Sequence, residues 1–100
     1  MKPSYKLVKA LEEQYSSPGE FIKCIMHIEG MSMAELARRL GTTEPYVALT
    51  VMNRSVPSIK AVVKFADVLG IDPYLLNRIC SDYKLKTYLE KNKDGQTYNS

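Results

Sequence analysis

Three residues, Gly41-Thr42-Thr43, separate two short apolar helical patterns, and that interval constrains the fold more than any other feature of the chain. Ahead of it, Ser32-Met33-Ala34-Glu35 has capping-box spacing, in which a Ser hydroxyl accepts a backbone N–H three residues on. Leu36, Ala37 and Leu40 then share one helical face, and Gly41 supplies the left-handed position that ends such a helix. Beyond it, Thr43 can cap a further helix. Pro45 falls in the first turn, where its missing N–H costs nothing. That helix should run to about Met52, with Asn53 as a left-handed stop.

Two helices joined this tightly need a small side chain where they approach, a backbone able to reverse, and an apolar anchor on the second helix. Ala37, Gly41 and Val47 stand at those three places. The spacing fits a helix-turn-helix, and an ordinary helical hairpin would use it too.

The remaining helices are marked by their ends. Ser17-Pro18-Gly19-Glu20 repeats the capping-box spacing with Pro in the first turn. Phe21, Ile22, Ile25 and Ile28 follow as an expected buried stripe closed by Gly30. Ser58 caps a fourth helix whose Ile59, Val62, Val63, Ala66 and Leu69 form a second expected stripe, ended by Gly70. Asp72-Pro73 opens a fifth helix expected to reach about Cys80. Tyr5, Val8 and Leu11 suggest an N-terminal helix from Ser4 to Gln14, within a helical extension over residues 1–17. Leu85, Tyr88 and Leu89 suggest a separate short helix in 81–100, ahead of a polar tail. No strand pair with a hairpin turn is visible, so the expected class is all-α, with the main domain at 18–80.

Composition narrows the function more than it defines it. One hundred residues at 45% hydrophobic and 25% charged suit one modest globular domain. A net charge of +3 permits contact with a phosphate backbone without demanding it. Cys24 and Cys80, far apart in apolar patterns, read as free buried thiols of a reducing compartment. The single histidine, His27, reads as a surface residue, and Met26, Met31, Met33 and Met52 as packing residues. No Cys/His spacing suggests a metal, and no nucleophile–base pair or phosphate loop suggests an enzyme or a cofactor. No run approaches a membrane span or a signal peptide, so a cytoplasmic location is expected.

From about Phe21 to Leu76 the chain resembles the Cro and lambda-repressor-like (XRE) family of five-helix domains. The resemblance runs through Met31-Ser32-Met33-Ala34-Glu35-Leu36-Ala37-Arg38-Arg39-Leu40-Gly41, then Pro57-Ser58-Ile59, then Phe65-Ala66-Asp67-Val68-Leu69-Gly70-Ile71 and Leu76. It implies double-stranded DNA as the partner, with the third helix in the major groove. Ser32 and Met33 would then lie near a phosphate, and Thr43, Glu44, Pro45, Tyr46 and Leu49 would face the groove. Arg54, Ser55, Ser58 and Lys60 would flank it as backbone contacts. A transcriptional regulator is expected, acting as a homodimer on a pseudo-palindromic site, because one short helix reads few bases. The flanking apolar residues Tyr5, Val8, Leu11, Leu85, Tyr88 and Leu89 would offer the dimer surface.

The chain departs from the family at several of these places. Met33 stands where Gln is usual, and the groove face lacks the Arg, Asn or Gln that makes bidentate base contacts. Met26 and Val51 replace the usual Arg–Glu pair, an exchange that leaves no buried charge alone, and Thr50 stands where a larger apolar residue is preferred. Glu44, Tyr46 and Leu49 also fit an alternative, a protein-binding module such as an antitoxin or a phage-type inhibitor. Arg38 and Arg39 read as a solvated helix face.

Overall fold

A computed structural model describes residues 17–92. Five helices follow one another: α1 (Pro18–Glu29), α2 (Met33–Leu40), α3 (Glu44–Val51), α4 (Ile59–Leu69) and α5 (Pro73–Lys91). No strand occurs among the described residues. Each helix begins on the side chain expected of it. Ser17, Ser32, Thr43 and Ser58 accept the N–H three residues on, and Asp72 accepts that of Tyr74. These bonds occupy donors that a helix start otherwise leaves unpaired.

The helices enclose one core. α1 packs on α3 and α5, α2 on α3 and α4, and α4 on α5. Phe21, Ile22, Ile25, Leu36, Val47, Val62, Phe65, Leu69 and Leu76 are almost wholly buried at the centre. Met26 and Val51 are both buried among them, so the apolar exchange read from the sequence is absorbed as packing. Thr50 is buried as well, and its hydroxyl donates to the Tyr46 carbonyl at 3.1 Å, leaving no polar group unpaired there.

Several expectations need correction. Ile59 and Val63 are 74% and 54% exposed, because α4 turns a different register inward. Two apolar registers overlap in that helix, and the one containing Val62, Phe65, Ala66 and Leu69 carries the large aromatic side chain. Ile28 is 41% exposed for a similar reason: Phe21, Ile22, Ile25 and Met26 form the buried face of α1, and Ile28 sits on its flank near the helix end. The fifth helix does not stop at Cys80. It continues unbroken to Lys91, so Leu85, Tyr88 and Leu89 belong to α5 and not to a separate helix. Cys24 is only half-buried and Met52 is exposed, so neither is the packed side chain expected of it, whereas Cys80 is buried as expected. Tyr5, Val8 and Leu11 lie outside the described residues.

Burial pushes the Cys80 thiol from its ordinary 9.0 up to about 11, with Lys84 opposing the rise. Below pH 9 both folded and unfolded chains hold the proton, and the thiol's contribution is complete. Between about 9 and 11 the unfolded chain releases the proton while the folded one keeps it. Stability is therefore lost as pH rises through that window, by up to roughly 3 kcal/mol from this group. Denaturation at about pH 8 and about pH 10.5 should show a larger loss for the natural chain than for Cys80→Ala. Equal losses would exclude the thiol as the cause.

Candidate nucleic-acid interface

The α2–α3 corner is built as the sequence spacing requires. At the end of α2, Gly41 donates to Arg38 O at 3.2 Å and Thr42 to Ala37 O at 2.9 Å, with Gly41 at φ 74°. This paired closure satisfies the last carbonyls of α2 and reverses the chain within one residue. Thr43 then caps α3. Ala37 and Val47 are buried at the contact between the two helices.

A second tie, not legible as such in the sequence, fixes α3 against α1. Asn53 adopts φ 59°, the left-handed stop expected of it. Its side chain also accepts the Gly19 N–H at 2.8 Å and donates to Ser17 Oγ at 3.0 Å. The end of α3 is thus latched to the start of α1 across more than thirty residues of sequence. An Asn in a stop position signals the turn but does not reveal its distant partners.

Thr43, Glu44, Pro45 and Leu49 are exposed on α3. Tyr46 is only half-exposed. Its ring leans on Phe65, with centroids 6.3 Å apart and planes tilted by 35°, so part of it serves the core. Glu44 is the only charged side chain on α3, and positive charge comes from the flanks. Arg54 is exposed just beyond the helix, and its N–H donates to Leu49 O at 2.9 Å. Ser55 is half-buried in the same loop.

Ser58, Lys60 and Tyr46 meet in a groove of about 260 Å³ between the corner and α4, together with Thr42 and Lys64. Lys64 was missed in the sequence reading, although it stands one helical turn from Lys60 on the same face of α4. Ser32 and Met33 lie elsewhere, at the start of α2. Ser32 is occupied as a cap, and Met33 is half-buried against the core. Arg38 and Arg39 both reach Glu35, at 3.9 and 2.6 Å, which suits a solvated helix face. Exposed pairs of this kind add little to stability.

Two short capped helices, a one-residue reversal, and a second helix with an exposed face flanked by cations define a helix-turn-helix domain, a DNA-binding class. Residues 29–76 match the family model described as Helix-turn-helix, and over that stretch the chain is similar to the lambda-repressor-like (XRE) class of such domains. The match begins at the end of α1 and closes in the first turns of α5. Neither the curated proteins nor the solved structures gave a match. Among the described residues, no helix is long and apolar enough to cross a membrane.

Proposed function

We propose that the protein is a sequence-specific transcriptional regulator that binds double-stranded DNA as a homodimer, with α3 in the major groove. The observation that carries this reading is the placement of Arg54, Lys60 and Lys64 beside an α3 that exposes Thr43, Glu44 and Leu49. Cations at the flanks would hold phosphates and fix register, while α3 would meet base edges. Glu44 suits a cytosine amino group, and Leu49 a thymine methyl. Ser32 and Ser55 would add hydroxyl contacts to the backbone. Tyr46, held by Phe65, would present a rigid edge to the groove.

Dimerisation is supported by the outer side of α5. Leu85, Tyr88 and Leu89 are half or more exposed and lie away from the buried Leu76, Ile79 and Cys80. A second copy would cover them and double the number of bases read.

Selection from random duplex DNA at moderate salt tests the reading. The expected result is an enriched palindrome with half-sites about one helical turn apart. Failure to enrich any sequence would reject it and transfer Glu44 and Leu49 to a protein-binding surface.

A further inference from the structure

A second groove, of about 630 Å³, opens between the outer side of α1 and the start of α2. Cys24, Met26, His27, Met31 and Met33 line it. The chain's only histidine, one of its two cysteines and three of its five methionines therefore line one groove, which shares no residue with the groove beside α3.

Local geometry explains the convergence. Cys24 and His27 are one turn apart on α1 and so share a face. At the end of α1, Gly30 donates to His27 O at 3.2 Å and Met31 to Met26 O at 2.8 Å. That closure folds Met31 back over the last turn, the one from which His27 projects. Met33 opens α2 on the other bank. Met26 is buried in the core. Cys24, Met31 and Met33 are half-buried and His27 is exposed, so these four keep surface toward the groove.

The donor set is soft. Thiolate and thioether sulfur favour copper(I), and imidazole also suits copper, whereas hard cations need a cage of oxygens. Among the described residues no three His, Cys, Asp or Glu side chains gather to hold a metal, so a site in this groove would have to take its further donors from thioethers. Glu20 and Lys23 at the rim offset each other in charge.

We propose that this groove binds a single soft monovalent metal ion, copper(I), through Cys24 Sγ, a His27 ring nitrogen and the Met31 thioether, with Met33 closing the open side. On binding, the Cys24 thiol releases its proton to solvent and the sulfur donates a lone pair to the ion. No electron is transferred. Cys80 does not compete, since it is buried and keeps its proton to about pH 11.

Anaerobic titration of the full chain with copper(I), against a chromophoric copper(I) chelator, tests the site. One equivalent is expected per chain. Cys24→Ser and Met31→Leu should each weaken binding at least about tenfold, while Cys80→Ser binds as the natural chain does. Thermal melts of the metal-free variants separate lost ligation from lost folding. Silver(I), a redox-inert probe, should shift the methyl resonances of Met31 and Met33 and leave that of Met52 in place. Unchanged affinity in Cys24→Ser, complete loss of the ion to the chelator, or preferential uptake of zinc(II) would each overturn the proposal. The titration contains no DNA, so its outcome is independent of the function proposed above.

Discussion

Gly19→Ala is expected to destabilise the domain by about 3 kcal/mol or more, lowering its melting temperature by roughly 12 °C or more. The expectation runs against helix propensity, which favours Ala over Gly by about 1 kcal/mol inside a helix. Reduced freedom of the unfolded chain also favours Ala. The structure reverses the sign. A Cβ on Gly19 would stand 2.5 Å from Val51 O, 2.7 Å from Asn53 Oδ1 and 2.8 Å from Thr50 O. Two of these atoms are backbone carbonyls at the end of α3, which cannot swing aside as a flexible side chain would. Moving α1 away would stretch the Gly19 N–H bond to Asn53 and expose a donor that is now paired. Asn53→Gly separates the contributions, since it keeps the left-handed backbone and removes only the side-chain bonds. It should cost about 1–2 kcal/mol, less than Gly19→Ala. Differential scanning calorimetry of the two variants decides the matter. A Gly19→Ala variant as stable as the natural chain would mean that α1 and α3 do not approach this closely.

The same latch shows where sequence reading stops. Caps and stops are local, made by residues two to five apart, and so Ser17, Ser32, Thr43, Ser58 and Asp72 were all readable. The partnership of Asn53 with Gly19 and Ser17 depends on how two helices dock, and no short-range pattern encodes it. Ile59 and Val63 misled for a related reason. They satisfy helical periodicity as well as Phe65 does, and only the space available in the core decides between the registers. On the candidate interface, exposure separates Leu49, a surface side chain, from Tyr46, which is shared with the core. Lys64 became visible once the groove beside Lys60 was formed. The soft-donor groove was hidden because its cysteine, histidine and thioethers come from a helix, its reversal and the next helix. α1 by itself brings only Cys24 and His27 together, and the thioethers that would complete the set come from the other two segments.

Combined replacement of Arg54, Lys60 and Lys64 by Ala is expected to cut affinity for duplex DNA on the order of 10²-fold at ~0.15 M salt and 10³-fold at ~0.05 M. The reasoning starts from α3 itself, whose one charged side chain, Glu44, repels phosphate. In the proposed mode of binding, attraction to the backbone must therefore come from the flanks, where these three cations stand. Each phosphate neutralised releases condensed counterions and adds about 0.9 to the slope of log K against log salt, so three lost contacts should flatten it by roughly 2.7. The loss must shrink as salt rises and must be nearly the same for every DNA sequence, because phosphates carry no base identity. All three side chains are exposed, so stability should stay within about 0.5 kcal/mol of the natural chain. Leu49→Ala supplies the contrast. It is exposed on the face proposed to read bases and is uncharged, so it should leave the salt slope intact and relax preference at one base position. Fluorescence anisotropy across a salt series measures both. A triple variant with an unchanged slope would remove the cations from the interface. Loss confined to one sequence would instead make them readers of bases, with α3 no longer the element that sets specificity.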